Sequence, residues 1–158
     1  LGRPQQMIKR HESGGRPEIA YNAVLEVGDQ IFEHLVGAEL VFVIAGMGGG
    51  TGTGATPVIA QLARKTQAQV IGIAIKPFTF EGQKRMEITR KGLIQLRKQV
   101  DVLMTISNQA LLDKMPIGTT TAQAFKKVDE AIVKTIVDIG DVKINNQQHR
   151  RGGLYYAE

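Results

Sequence analysis

The chain contains no cysteine and no tryptophan. The absence of cysteine excludes a disulfide scaffold, a cysteine-based zinc site and a thiol nucleophile. No apolar run approaches the roughly 18 residues that a membrane-spanning helix needs, and no signal peptide is visible. Aromatic residues make up only 5% of the chain, and the basic residues are not clustered beside them as a nucleic-acid surface requires. We therefore expect a cytoplasmic protein that binds neither nucleic acid nor a membrane directly.

The remaining composition is that of an ordinary globular protein. The chain has 158 residues, of which 42% are hydrophobic and 22% are charged, with a net charge of +5. This length suits one domain over residues 1–158 with a buried core of its own. The three histidines lack the spacing of metal ligands, so we assign no metal-binding residue. Because the first residue is Leu1 rather than methionine, we expect that the chain belongs to a longer gene product.

The most informative segment is GMGGGTGTG, from Gly46 to Gly54. It lies between an apolar run at 40–45, typical of a buried parallel strand, and a helix-like segment at 55–65. Glycines let the backbone approach a ligand, and a helix N-terminus behind them favours an anion, most naturally a phosphate. No lysine follows, so this is not a Walker A loop, and the dinucleotide fingerprint is also not clean. The backbone amides and the hydroxyls of Thr51 and Thr53 would hold the phosphate, and a flexible glycine-rich connector is the alternative.

Along the rest of the chain, helical and strand patterns alternate. A helix is predicted from Pro17 to a stop at Gly37, followed by strands at 40–45, 69–75 and 102–106. Further helices are predicted near 54–66, 81–98, 109–114 and 120–139. This alternation predicts an α/β fold, a Rossmann-like three-layer arrangement with a parallel sheet and helices on both faces. The loops that follow the three strands then converge on one crevice at the carboxyl edge of the sheet.

Five segments in the same order resemble the FtsZ/tubulin family of GTPases. One of them, VFVIAGMGGGTGTGATPV at 41–58, is a highly specific match. The others are GGRPEIAYNAVLEV at 14–27, KPFTFEGQKRM at 76–86, VDVLMTISNQALLDK at 100–114 and AFKKVDEAI at 124–132. The resemblance covers about residues 14–140 and implies a site for GTP or GDP with Mg²⁺.

The resemblance also implies roles for individual residues. The residues that would wrap the phosphates are Gly48, Gly49, Gly50, Thr51, Gly52, Thr53 and Gly54. The loop that would sense the γ-phosphate contains Gly14, Gly15 and Arg16. Pro77 and Phe78 match the loop beneath the ribose, where Glu81 contacts the sugar and Arg85 packs near the nucleotide. Asn108 is placed against guanine, and Asp129 accepts from the guanine edge. Without the resemblance, Glu81 and Arg85 are a helix-surface pair, Asn108 is a helix N-cap and Asp129 is a solvated charge.

The chain departs from the family pattern in three places. Nothing in residues 1–13 supplies the first strand and first phosphate loop, and the C-terminal domain has no counterpart. The family's N-x-D-x-x-D loop, whose acids reach the neighbouring subunit, has its nearest match at 144–150. There Asn145 fits, but Gln147 and Arg150 occupy the positions of the acids. Amides cannot take a proton from the attacking water, so we leave the catalytic residues unassigned and expect weak or absent hydrolysis.

Three hypotheses follow. The first is a GTP-binding, self-assembling cytoskeletal protein of cell division that hydrolyses GTP between head-to-tail subunits. The second is a non-hydrolysing module, or a fragment, that co-assembles with full-length relatives or division proteins. The third is a dinucleotide-dependent oxidoreductase, which shares the fold class but lacks an acidic ribose partner after the glycines.

Overall fold

The computed structural model describes residues 13–145, with side chains through residue 139. At its centre lies a parallel sheet of three strands: β1 (Leu40–Gly46), β2 (Gln69–Lys76) and β3 (Val102–Ser107). Within the described residues the order is β1-β2-β3, and Val43 pairs with Gly72 while Ile73 pairs with Met104. The prediction of an α/β parallel sheet is confirmed, and each predicted strand is extended by one residue at its carboxyl end.

Six helices surround the sheet in the described part of the chain. They are α1 (Pro17–Glu26), α2 (Gly28–Leu35), α3 (Gly50–Lys65), α4 (Gln83–Arg97), α5 (Asn108–Asp113) and α6 (Thr121–Asn145), with a 3₁₀ turn at Thr79–Glu81. None of the helices in residues 13–145 combines the length and apolarity needed to cross a membrane.

Two hydrophobic clusters lie on opposite faces of the sheet. On one face, Val43 and Val70 pack with Ala60 and Ala63 of α3 and Leu96 of α4. On the other face, a second cluster joins residues of all three strands to α5 and α6, including Phe42, Ile71, Ile106, Leu111 and Ile132. Alternate residues of each strand supply the two clusters, as the period of a strand requires. The predicted helices on both faces are therefore confirmed.

The single helix predicted from Pro17 to Gly37 is instead two helices. The break lies at Val27, whose φ of −115° and ψ of 15° are not helical. Val27 is β-branched and precedes Gly28, so the local sequence opposes continued helix at this point. Ala20 and Val24 of α1 are buried, whereas Val27 is largely exposed. The predicted apolar stripe therefore does not continue through the break.

Helix α3 begins at Gly50, several residues earlier than predicted. Local propensity places glycines in a loop, yet here Gly50, Gly52 and Gly54 form the first turns of the helix. Tertiary contact explains this: a Cβ at Gly50 would collide with Ser13, and a Cβ at Gly54 would collide with the carbonyl group of Pro17. Glycine is therefore retained for close packing, despite its low helix propensity.

The helix predicted at 81–98 also starts differently. Glu81 belongs to the 3₁₀ turn, and α4 begins only at Gln83. Gly82 separates the two with a φ of +99°, a left-handed conformation that an α-helix cannot include. The break allows the chain to turn at the carboxyl edge of β2 before α4 runs back along the sheet.

Candidate functional site

A cavity of about 450 Å³ lies at the carboxyl edge of the sheet. The backbone of Gly15 and of residues 48–52 forms one part of its wall, and Glu81, Lys84, Arg85 and Ile88 form the other. The 16-residue helix α3 begins at this wall. Unsatisfied amides and the positive end of the helix dipole therefore lie where an anion would be stabilised.

The glycine segment owes its shape to one buried hydrogen bond and one close approach. The amide of Gly48 donates to Oγ1 of Thr53 at 2.9 Å, and Thr53 is buried. Gly48 has a φ of +94°, and a Cβ at this position would lie 3.0 Å from the carbonyl oxygen of Arg85. Only glycine meets both conditions without strain. Thr53 thus closes the loop internally, while Thr51 is exposed on the cavity wall.

A tight turn at Ser13–Arg16 supports the glycine segment from the side. The amide of Arg16 donates to the carbonyl oxygen of Ser13 at 2.8 Å, and Gly14 and Gly15 both have positive φ. The Ser13 and Thr51 hydroxyl oxygens are 3.4 Å apart. The turn therefore reaches the cavity through Gly15, whereas Gly14 and Arg16 stand beside it without lining it.

Glu81 joins the loop after β2 to the start of α4. Its Oε1 accepts from the backbone amide of Phe78 at 2.9 Å, and its Oε2 forms an ion pair with Arg85. The carboxylate thus holds the loop after β2 against the start of α4. The predicted pairing of Glu81 with Arg85 is present, although it bridges a 3₁₀ turn and a helix instead of one continuous helix surface.

Asn108 lies at the end of β3, where it is the first residue of α5. The cap of this helix is Ser107, whose Oγ accepts from the amide of Ala110 at 3.3 Å. The N-cap interpretation of Asn108 is therefore wrong. Asn108 is only 5% exposed, and its Oδ1 is buried without a hydrogen-bond partner within the described structure. An orphaned buried oxygen is costly and marks a place where a donor is missing.

The loops after β2 and β3 are tied together through Gln109. Its Oε1 accepts from both the amide and the hydroxyl of Thr79, at 3.1 and 2.8 Å. Its Nε2 donates to Asp113 at 2.7 Å, which fixes the orientation of the amide group. Two of the three loops predicted to converge are thus joined directly by side-chain hydrogen bonds.

Aromatic rings join this edge of the sheet to α6. The ring of Phe78 is buried, stacks on Phe80 at 4.9 Å and meets Phe125 edge-on at 5.4 Å. Phe125 remains 48% exposed. Asp129 lies one helical turn further along α6, on the same face as Phe125, because residues four apart are neighbours on a helix surface.

Comparison with known proteins agrees with this geometry. Residues 4–116 match the family model described as the Tubulin/FtsZ family, GTPase domain. The chain belongs to this family. The match covers both parts of the cavity wall, and the parallel sheet with its flanking helices is the fold of the family's GTPase domain.

Individual relatives support the assignment. The cell division protein FtsZ of Rhizobium radiobacter is 42% identical over 132 residues, which are 84% of this chain and 23% of that protein. The corresponding protein of Caulobacter vibrioides is also 42% identical, with 84% and 26% covered. The chain thus spans about a quarter of the length of these curated relatives.

Solved structures of the family superpose well on this chain. An empty FtsZ dimer of M. jannaschii has a TM-score of 0.73 at 34% identity, covering 77% of this chain and 35% of that one. CetZ2 from Haloferax volcanii, solved as a GTPγS-bound protofilament, has a TM-score of 0.72 at 25% identity, covering 84% and 40%. The oxidoreductase hypothesis therefore has no support.

The structure brings most of the predicted phosphate residues together but leaves others apart. The predicted residues on the cavity wall are Gly15, Gly48, Gly49, Gly50, Thr51, Gly52, Glu81 and Arg85. Those that do not line it are Gly14, Arg16, Thr53, Gly54, Pro77, Asn108 and Asp129. Asp129 instead lines a shallow groove along α6, beside exposed Val133 and Val137. The predicted base and phosphate sites are thus separate surfaces of this structure.

Sequence reasoning did not identify Lys84, Ile88 or Phe125. A signal for the first two was available, since Glu81, Lys84, Arg85 and Ile88 follow the three- and four-residue spacing of one helix face.

The predicted intersubunit loop lies almost entirely beyond the described residues. Asn145 is the last described residue, and its side chain is not described; Gln147 and Arg150 lie outside the described residues. Within residues 13–145, no three acidic or histidine side chains are grouped as metal ligands.

Proposed function

We propose that this chain binds a guanine nucleotide and, as one GTP-binding domain, serves a self-assembling division protein of the FtsZ type in the cytoplasm. The observation that carries the proposal is the glycine-walled cavity at the N-terminus of α3. Its volume of about 450 Å³ falls in the range of small-molecule sites. The family and the FtsZ relatives support GTP as the ligand.

The wall fits phosphate because its glycines carry no side chains that would cover the backbone amides. A Cβ on Gly50 or Gly52 would collide with neighbouring atoms of Ser13 or of the Gly46 carbonyl group. Glycine therefore keeps the segment close-packed, and its amides remain available to phosphate oxygens beside the Thr51 hydroxyl. Backbone amides at a helix N-terminus form this kind of anion site without a lysine in the loop.

We assign recognition of the base to residues that lie outside the wall of the cavity, on α6 and at the end of β3. The exposed ring of Phe125 offers a stacking surface, and the carboxylate of Asp129 can accept from N1–H and N2–H of guanine. Adenine presents no such pair of donors and would not make these hydrogen bonds, and a hydrogen bond to a charged group contributes about 1.5–3 kcal/mol. The Oδ1 of Asn108, which is buried without a hydrogen-bond partner in the described structure, is a further candidate acceptor. Guanine selection is therefore proposed for Phe125, Asn108 and Asp129, and the ribose contact for Pro77 and Glu81.

Mg²⁺ would accompany the nucleotide without a dedicated set of protein ligands. Among the described residues, Glu81 supplies the one carboxylate of the cavity wall, and it is already paired with Arg85. Mg²⁺ commonly keeps several waters and binds through substrate phosphates. The phosphate oxygens and water would then hold the ion, which would neutralise phosphate charge.

Hydrolysis and assembly form the finer part of the proposal. GTP held by one subunit would be covered by the next, giving an open head-to-tail polymer, because heterologous contacts need not close. The Gln147 and Arg150 side chains replace the expected acids, which favours a second candidate, a non-hydrolysing module that co-assembles with full-length relatives. The solved CetZ2 protofilament is a family precedent for assembly with bound nucleotide.

Turnover separates these two candidates. Purified chain would be mixed with GTP and Mg²⁺ over a wide range of protein concentration, and phosphate release would be followed. Release that rises faster than protein concentration indicates catalysis between subunits. Binding without release supports the non-hydrolysing module.

Base recognition is tested by Asp129→Ala. We expect GTP affinity to fall about tenfold to a hundredfold, the loss of a hydrogen bond to a charged group, with much less effect on ATP. The control is Asp29→Ala, which removes the same charge from an exposed position of α2 that lines neither the cavity nor the α6 groove. Unchanged GTP affinity and unchanged discrimination in Asp129→Ala would show that this residue does not read guanine.

A further inference from the structure

The second half of α4 carries a basic face around one exposed apolar side chain. Ile94 is 54% exposed. Its neighbours three and four residues before and after it are all basic and all exposed: Arg90, Lys91, Arg97 and Lys98. Within residues 13–145, none of these four side chains forms an ion pair. The basic face, defined by these five residues, contains no residue of the cavity wall.

Helices α1 and α2 carry an exposed face of the opposite charge. The two helices contain no lysine or arginine, and Glu18 and Glu33 are among their exposed acids. Tyr21 and Leu25, one helical turn apart on α1, are 47% and 53% exposed. These four residues define the acidic face. Like the basic face, it exposes apolar side chains among charges of one sign, and an apolar centre with a polar rim is typical of protein–protein contacts.

The two faces lie on opposite flanks of one layer of helices. Helix α3 packs against α1 and α2 on one side and against α4 on the other. Leu35 of α2 and Leu93 of α4 pack against the same hydrophobic cluster as Ala63 of α3. Because neighbouring helix axes are about 8–10 Å apart, α3 keeps the two faces of one copy well separated. Two copies side by side can bring them together.

We propose that the basic face of one copy of this chain docks on the acidic face of a second copy. Charge complementarity identifies the occupant, since each face carries the charge that the other needs. Symmetric pairing of two acidic faces, or of two basic faces, would place like charges together. The contact is therefore heterologous, and because each copy keeps one face free, it extends into an open row. This side contact goes beyond the proposed head-to-tail assembly and uses a different surface.

The direction of the helices indicates how the copies are oriented. Helix α1 begins two residues after Gly15, and α4 begins between Glu81 and Lys84, and all three of these residues line the cavity. Both helices therefore run from the cavity toward the opposite edge of the sheet. Copies placed side by side with the same polarity then bring α1 and α2 of one copy parallel to α4 of the next.

In that orientation the two faces are also in register. Ile94 lies eleven residues after the start of α4 and Leu25 eight after the start of α1, so their levels differ by only about 4.5 Å at 1.5 Å per residue. Counted in the same way, Glu33 and Arg97 lie within about one helical turn of each other. The contact therefore matches apolar with apolar side chains and an acid with a base.

The experiment reverses one charge on each face. Wild type, Glu33→Lys and Arg97→Glu would be compared by sedimentation velocity of the purified, nucleotide-free chain over a wide range of protein concentration. We expect the wild type to self-associate at low salt and to dissociate at high salt, because salt screens exposed charges. Each reversal should weaken association by about tenfold or more at low salt, because it places like charges in the contact.

An equimolar mixture of the two variants separates a lost contact from a damaged fold. In the mixture, the reversed acidic face of one variant meets the reversed basic face of the other, so association should return. Lys114→Glu and Asp138→Lys are matched controls, since they make the same charge changes at exposed positions of α5 and α6, on the other side of the sheet. Both controls should associate like the wild type.

Four results would overturn the inference. They are a wild type that stays monomeric at low salt, equal loss of association in the controls, full association of both reversed variants, and a mixture that stays dissociated. If the monomeric wild type instead binds anionic lipid vesicles and Arg97→Glu does not, the basic face serves a membrane and the inference is wrong. Because no nucleotide is present, failure here leaves the proposed GTP site standing, and GTP binding by the wild type is measured separately.

Discussion

Replacing Gly48 by alanine tests whether the glycine segment is shaped by packing against α4. The residue has a φ of +94°, and holding a non-glycine residue in such a conformation costs about 1–3 kcal/mol. Its Cβ would also lie 2.9 Å from Oγ1 of Thr89 and 3.0 Å from the carbonyl oxygen of Arg85. That hydroxyl donates to the same carbonyl oxygen at 2.8 Å, so neither atom can easily move.

Overpacking of this kind adds about 1–3 kcal/mol. The reduced entropy of the unfolded chain returns about 0.4–1 kcal/mol. We therefore expect Gly48→Ala to lower the free energy of unfolding by about 1–5.6 kcal/mol, summed from these terms. Urea denaturation followed by circular dichroism measures it, with a lower midpoint and an unchanged slope.

The control is Gly46→Ala, two positions away in the same motif. Gly46 ends β1 without a positive φ, and no heavy atom lies within 4 Å of its added Cβ. We expect this variant to match or slightly exceed the stability of the wild type, since alanine has less freedom to lose. Equal destabilisation by the two substitutions would refute the reasoning, because only Gly48 is strained and enclosed.

Two further predictions concern threonine hydroxyls and a carboxylate. Thr53→Val removes the acceptor of the buried Gly48 amide and should cost about 1–3 kcal/mol of unfolding free energy; Thr51→Val should leave denaturation nearly unchanged and weaken GTP instead. The reverse pattern would contradict the assignment of the two hydroxyls. The hydrogen bond from Lys127 lowers the pKa of Glu130, so the stabilisation it gives is present above the usual carboxyl range and is lost as pH falls through the lowered value. Lys127→Ala should raise the pKa of Glu130 in an NMR titration, and an unchanged pKa would exclude this cause.

The strands were predictable because their signal is local. Val70, Ile73 and Ala74 are fully buried, and a strand covered on both faces reads as a continuous apolar run. The order of strand and helix then limited the possible topologies to a parallel sheet. A parallel sheet in turn predicts the site at its carboxyl edge, and the glycine-walled cavity lies there.

The start of α3 was not predictable from the same signals. Local propensity places Gly50, Gly52 and Gly54 outside a helix. The close contacts that exclude a side chain at Gly50 and Gly54 come from Ser13 and Pro17, which are distant in sequence. Pro57, which suits a first helical turn, instead lies inside the helix. Tertiary packing therefore overrode local preference here.

The residues of the site, too, could be predicted from the sequence only in part. Motif matching identified Glu81 and Arg85, but their mutual neutralisation depends on the 3₁₀ turn that Gly82 ends. The three- and four-residue spacing from Glu81 was the available signal for Lys84, and it does not by itself separate this lysine from others on the same helix face. Conversely, the resemblance placed Asp129 at the guanine edge of the nucleotide site, whereas in the structure it lines a groove along α6 and not the glycine-walled cavity.

The most direct test of the account is an NMR titration of the isotopically labelled chain with GTP and, separately, ATP in the presence of Mg²⁺. The account predicts saturable shifts of the amide signals of Gly15 and of residues 48–52 with GTP, together with shifts around Phe125 and Asp129 that ATP fails to produce at the same concentration. Absence of any shift in the glycine amides, or identical shifts with both nucleotides, would contradict a guanine-nucleotide site at this cavity.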